Sequence, residues 1–299
     1  DNLLGVSSAD YGAGVGQPVI RGMSGNRVKI MSNGRVNRDV SGIGADHVND
    51  IDLNNIQQIE VIRGPSSIFY SNGTSGGIIN VVDSTIARTD FMESELRLGG
   101  EAQTVNGGQS GEISYQNNLG GLNFSLAYKD SSFEKFEIPF GAIIHEEEEH
   151  EEEEHEEHEE NPKYILNSDY KTESQRFGVS KTGDWGYVGV SYRGIESLYG
   201  IPFHGEEHEE EHEEEGEHEE ERIFATTDSE VFNLEGSYIF SDSALKKIDY
   251  FYAGTEYSLI EQHAEEAGHE EEENDGHEEG PTIFKNDAQE FGLVVDFST

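Results

Sequence analysis

From about residue 90 onward the chain is written in short segments in which apolar and polar residues alternate. A period of two is the side-chain repeat of a β-strand with one apolar face. The clearest runs are Leu122, Phe124, Leu126 and Tyr128; Val188, Val190 and Tyr192; Phe232, Leu234, Tyr238 and Phe240; and Phe291, Leu293, Val295 and Phe297. The opposite faces carry polar residues such as Asn123, Ser125, Ser191, Asn233, Glu235 and Asp296, and aromatic residues gather toward segment ends, as at Tyr250, Phe251 and Tyr252. Strands are predicted near 92–102, 108–119, 121–130, 171–182, 186–196, 226–241, 243–260 and 286–297. Their connections alternate in length. Gly120-Gly121, Gly183-Asp184 and Ser241-Asp242-Ser243 read as tight turns, whereas 131–170, 197–225 and 261–285 are long. Short turns on one side, long loops on the other and a wall with one apolar face make the pattern of a transmembrane β-barrel, whose long loops face the cell exterior. A helical membrane protein is excluded, because no apolar run approaches the roughly 18 residues that a spanning helix needs.

The charge is concentrated in those long connections. The chain carries 63 Asp and Glu against 19 Lys and Arg, a formal net charge of -44. Three tracts, 145–160, 204–221 and 263–279, hold 33 of the acids, no Lys or Arg, and 11 of the 12 His. Only His47 lies outside them. Such segments bury too little apolar surface to offset chain entropy, and neighbouring like charges oppose a helix, so they are expected to be mobile loops in the metal-free state. An acid excess of this size repels phosphate and argues against a nucleic-acid partner. With no Cys in the chain, disulfides, thiolate zinc fingers, iron–sulfur clusters and Cys nucleophiles are excluded together. There is no nucleophile–base constellation, P-loop or dinucleotide fingerprint, and the chain is not expected to be an enzyme or to hold an organic cofactor.

Residues 1–88 differ in kind. They are Gly-rich, with a predicted hairpin of Arg27–Ile30 and Arg35–Val36 about Ser32-Asn33-Gly34, a strand Gln58–Arg63 and another Gly77–Val82, and they read as a small α+β domain. The stretch Pro18-Val19-Ile20-Arg21-Gly22-Met23-Ser24-Gly25-Asn26-Arg27-Val28, then Ile59-Glu60-Val61-Ile62-Arg63-Gly64-Pro65-Ser66-Ser67-Ile68-Phe69-Tyr70, then Gly76-Gly77-Ile78-Ile79-Asn80-Val81-Val82, closely resembles the plug domain of TonB-dependent outer-membrane receptors. Within that superfamily, His-rich extracellular loops and an Asp-His pair in the plug resemble the zinc-uptake receptors; here the pair is Asp46-His47.

The resemblance implies an N-terminal α+β plug, residues 1–88, followed by the first part of a large antiparallel transmembrane β-barrel of the 22-stranded class, residues 89–299. It also implies a signal peptide and a TonB box ahead of a plug that this chain has already entered at Asp1. About eight strands close only a small barrel that cannot hold such a plug, so the chain is expected to be a fragment, truncated at both ends. The expected partners are the TonB complex of the inner membrane and outer-membrane lipid and lipopolysaccharide, with the receptor itself a monomer in the bacterial outer membrane.

His imidazole and carboxylate suit Zn2+, and also Ni2+, Cu2+ and Co2+, so residue type alone does not choose the cargo. The capture residues are His145, His150, His155 and His158 in the first tract, His204, His208, His212 and His218 in the second, and His263, His269 and His277 in the third. His204, His208 and His212 would stack on one face if that tract became helical. His150, His155 and His158 are spaced five and three, which argues for many interchangeable weak sites. Asp46 and His47 are the expected plug half of a specific zinc site, completed to four-coordination by wall ligands beyond this fragment. Arg21, Glu60 and Arg63 read as plug scaffold, paired to the wall or within the plug; a gating role is the alternative. Gly22, Gly64 and Gly76-Gly77 read as backbone geometry. Other readings are an acidic brush that binds Ca2+ between lipopolysaccharide phosphates, a receptor for a metal chelate, haem or cobalamin, and a metal-buffering or adhesion module anchored by the barrel.

Overall fold

A computed structural model describes residues 3–10, 14–42, 44, 46–64, 67, 74–140, 142, 163–202, 222–241, 244–264 and 280–298. The N-terminal part begins with an antiparallel pair, β1 (Val6–Asp10) and β2 (Gly16–Ile20). A single 3-10 turn, Gly25–Arg27, leads into β3 (Val28–Ser32), which turns tightly into β4 (Arg35–Val36). Asn33 and Gly34 both have positive φ, 51° and 81°, the geometry that makes Asn-Gly a two-residue hairpin turn. β5 (Ile56–Ile62) and β6 (Gly77–Asp83) complete a sheet of order β4-β3-β6-β5, in which β3 and β6 run parallel. β6 is central, so its Ile78 and Val81 are buried together with Ile20, Val28 and Met31. The α part of the α+β expectation is not met among the described residues, which contain that 3-10 turn and no α-helix.

The remainder is a wall. β7 (Glu95–Ala102), β8 (Gln109–Leu119) and β9 (Leu122–Phe133) are followed by the small pair β10 (Phe136–Glu137) and β11 (Tyr164–Ile165). Then come β12 (Tyr170–Gly183), β13 (Gly186–Gly200), β14 (Arg222–Ile239), β15 (Leu245–Ala264) and β16 (Thr282–Phe297). These form one open antiparallel sheet of order β16-β15-β14-β13-β12-β9-β8-β7. All eight predicted strands are present. Leu122, Leu126, Phe177, Phe232, Phe291 and Leu293 are exposed on the outer face, whereas Asn123, Ser125, Ser180, Ser191 and Glu235 are buried on the inner one. At the short-turn end Tyr238 lies between Trp185 (6.2 Å) and Phe240 (4.7 Å), an aromatic edge to the apolar band.

At the other end the structure departs from the predicted boundaries. β13, β14, β15 and β16 have 15, 18, 20 and 16 residues, more than the roughly 9–11 that cross a bilayer. The predicted long connections 131–170, 197–225 and 261–285 are correspondingly shorter, because the flanking strands run on into them. The alternation changes phase there. The outer face acquires a rung of directly paired carboxylates, Asp130, Glu173, Glu196 and Asp228, continued one step along by Glu230, Glu256 and Asp287. Beyond it the inward positions become apolar, with Tyr199, Ile201, Ile223, Ala225 and Leu259 all buried, and Tyr257 is buried at the level of the rung itself. A strand that keeps its pairing while its faces exchange polarity has no single period-two signature, so these ends read as loop.

The plug docks on the inward face in two layers. At the long-connection end Val15, Val40 and Val48 pack into the apolar collar just named, with Tyr170 and Phe284 against it. Below lies a lattice of ion pairs. Arg176 of β12 reaches Asp52 (2.8 Å) and Asp83 (3.0 Å), and Arg193 of β13 reaches Asp50 (3.2 Å). In the reverse sense Glu235 of β14 holds both Arg35 (2.5 Å) and Arg88 (3.1 Å), and Glu290 of β16 holds Arg38. Burial inside the lattice raises the Asp50 carboxyl above its ordinary value, against the opposing pull of Arg193. Asp83 is also penalised by burial, yet Arg176 and the hydrogen bonds from Thr85 and Asn33 leave it lowered overall.

The two carboxyls therefore act oppositely on acidification. Asp83 contributes stability above its unfolded value, lost as pH falls through the depressed folded one; Asp50 takes up its proton first, and its protonated form favours the docked state. Protease protection of the plug is expected to hold through mild acid and fail only below the ordinary aspartate range. Asp83→Asn should remove that late loss, and an unchanged acid midpoint in this variant would refute the assignment.

Candidate functional site

The segment 37–54 crosses the top of the plug with little regular structure, so its backbone is held by side chains. Asn37 Nδ2 donates to Asp50 O (2.7 Å), Asp39 accepts from the Ser41 hydroxyl (2.7 Å) and the Asp50 amide (3.0 Å), and buried Gln17 donates to Ser41 O (2.8 Å) and His47 O (3.3 Å). Short Asn, Asp and Ser side chains bonding nearby backbone are the usual way to fix such a loop. It carries Asp46 and His47 to the collar.

His47 is buried, 6% exposed. Its Nδ1 lies 3.2 Å from the Tyr199 hydroxyl, and Phe284 of β16 meets the ring edge-on at 6.4 Å between centroids. A Cβ on Gly44 would collide with Asp46 Oδ1 and lie 3.4 Å from His47 Cδ2, so the space that glycine leaves open is bordered by both the carboxylate and the imidazole. On the wall, Tyr199, Ala225, Glu261 and Thr282 occupy one rung across β13 to β16. Among the described residues no three His, Cys, Asp or Glu side chains stand close enough to hold a metal ion. Asp46 and His47 are thus a pair beside the wall, with Glu261 as a carboxylate on the facing rung.

The other expected residues fall as follows. Arg63 Nη1 donates to Leu4 O (2.7 Å). Glu60 accepts from Asn80 (2.8 Å) and Gln58 (2.7 Å). Arg21 is exposed, with φ 53° and its amide donating to Gly5 O. These contacts all lie within the plug. His145, His150, His155, His158, His204, His208, His212, His218, His269 and His277 lie outside the described residues. So does the His263 side chain, although its backbone closes β15 opposite Ile223.

Sequence reasoning missed Tyr199, Phe284, Gly44 and the wall arginines. For Arg176 and Arg193 a signal existed: counted in steps of two from Ser180 and Ser191, both fall on the polar inward face, where a charge needs a partner. For Tyr199, 152 residues from His47 and beyond the phase change, there was none.

Residues 1–78 match the TonB-dependent receptor plug domain family. The vitamin B12 transporter BtuB of Vibrio vulnificus (strain CMCP6) is 32% identical over 85 residues, 28% of this chain and 14% of that protein. The probable TonB-dependent receptor BfrD of Bordetella pertussis (strain Tohama I) is 35% identical over 68 residues, 23% of this chain and 9% of that one. Among solved structures, the FrpB iron transporter from Neisseria meningitidis (F5-1 variant) superposes over 98% of this chain and 42% of its own, with TM-score 0.65 and 12% identity. The copper transporter OprC superposes over 87% and 35%, with TM-score 0.63 and 16% identity. This chain therefore spans less than half the length of these relatives. It carries a TonB-dependent receptor plug domain followed by antiparallel wall strands with the fold of the outer-membrane TonB-dependent receptors.

Proposed function

We propose that this chain belongs to a receptor that imports a divalent metal ion, zinc foremost, with the His/Glu tracts as collectors and Asp46 with His47 as the plug station that receives it. The supporting observation is placement. The plug pair contacts Tyr199 and Phe284, one residue before the end of β13 and two after the start of β16, the strand ends adjoining the second and third tracts. An ion released from either tract reaches His47 by entering the collar in which it is buried. The tracts concentrate cations by mass action and by their field, and many weak ligands release as readily as they bind. Glu261 shares a rung with Tyr199, and it would have to move toward the pair as the ion binds to supply a third donor, its carboxylate oxygen, toward four-coordination. Force from the TonB complex at the inner membrane then displaces the plug. The receptor works as a monomer set in outer-membrane lipid and lipopolysaccharide.

The test is radioactive zinc uptake into zinc-starved cells that express the full-length receptor, with and without a functional TonB system. TonB-dependent uptake is expected, and its absence would sink the zinc reading. Because His must be neutral to ligate, collection should fall as pH drops through about 6.5, the unperturbed His value. Equal zinc loading of the receptor at pH 5 and pH 7.5 would refute capture by His. A second reading, a chelate or cobalamin as cargo, draws on the plug match to a vitamin B12 transporter; TonB-dependent uptake of chelated but not free metal would favour it.

A further inference from the structure

The geometry points to Tyr199 as the wall residue that fixes which nitrogen of the plug histidine binds the ion, and to Gly44 as the position that leaves room for the Asp46 carboxylate. This rests on the reading of Asp46 and His47 as zinc ligands. An imidazole binds metal through one nitrogen while the other donates its N–H to an outer partner. In His47 that partner is at hand for Nδ1, since Tyr199 Oη lies 3.2 Å away. The hydroxyl oxygen can accept that hydrogen bond, so with the ion on the ring Nδ1–H donates to Tyr199 Oη. Nε2 is then the ligating atom.

The opposite edge of the ring agrees. Cδ2, the carbon bonded to Nε2, borders the space above Gly44 that Asp46 Oδ1 also occupies. The ring edge that faces this space is the Cδ2 edge, away from the nitrogen beside Tyr199. A side chain at residue 44 would take that space. Tyr199 itself is 1% exposed within the apolar collar, where a hydroxyl without partners would be costly. Its partner His47 is on the plug, so the wall fixes the orientation of a ligand that the plug supplies.

Zn2+ titration of the purified full-length receptor tests this with wild type, Tyr199→Phe, Gly44→Ala and the double variant Asp46→Ala/His47→Ala. Tyr199→Phe keeps the ring that packs in the collar and removes only the hydroxyl. It should weaken the tight site roughly 10–100-fold, the usual loss on removing an outer partner, while the barrel keeps its heat-resistant gel mobility. Gly44→Ala should weaken the site by displacing Asp46. In zinc-loaded wild type the 15N shifts of His47, identified by their loss in His47→Ala, should show zinc on Nε2 and a proton on Nδ1. A tight site lost in the double variant but within twofold of wild type in both Tyr199→Phe and Gly44→Ala, or zinc on Nδ1, overturns the inference and leaves the zinc reading standing. A tight site that survives in the double variant overturns the zinc reading at the plug, and this inference with it.

Discussion

Arg176→Met is expected to loosen the plug from the wall by about 3–5 kcal/mol, the usual cost of removing one member of a buried ion pair. Arg176 and Asp52 have side chains only 5% and 3% exposed, and the same guanidinium serves Asp83. Without it two plug carboxylates are left in a nearly dry interface, and protonation or undocking are the ways out. Amide hydrogens of β6 and of the segment 83–88 should then exchange roughly 100- to several-thousand-fold faster. Asp52 keeps the Asn54 amide and Asp83 keeps Thr85 and Asn33, and these bonds hold the effect at the lower end. The triple variant Arg176→Met/Asp52→Asn/Asp83→Asn should recover most of the loss, since much of the cost is the stranded charge and not the missing attraction. By contrast Arg97→Ala, which breaks a pair with side chains 58% and 39% exposed, should change little. Equal exchange in Arg176→Met and wild type would show that the lattice does not hold the plug.

Asp46→Ala/His47→Ala should remove the saturable high-affinity component of zinc uptake, a loss beyond the roughly 10–100-fold of an outer partner. The low-affinity component carried by the tracts should persist. The fold is not expected to suffer, because the segment is pinned by Gln17, Asn37 and Asp39, none of which is altered. Deleting the His from the tracts should produce the converse, a smaller capacity at low zinc with the tight site intact. A double variant that takes up zinc at wild-type rates under starvation would remove the plug pair from the mechanism, whatever the tracts do.

The eight wall strands were legible because a membrane wall states its two faces in alternate letters, as Leu122 to Leu126 and Phe291 to Phe297 do. The Asn33-Gly34 turn was legible for a local reason, two adjacent residues that tolerate positive φ. The strand ends around Tyr199 and Ile223 were not, because their inward positions exchange polar for apolar residues where the plug meets the wall, and that partner is remote in sequence. Asp46-His47 stood out through resemblance alone. Nothing near it in sequence announces the tyrosine across the interface.

The carboxylate rung on the outer face fixes more than a boundary. Asp130, Glu173, Glu196 and Asp228 stand side by side, and sinking them among acyl chains would strip several charges of water at once. The wall therefore cannot ride lower in the bilayer, and its height is set to within about one strand residue. From Glu196 to the end of β13 at Gly200 are four more residues, about 14 Å of strand at roughly 3.4 Å each. The root of the second His/Glu tract is held at that standoff, clear of the acyl layer, so the harvest of cations takes place in water and only the delivery takes place at the plug.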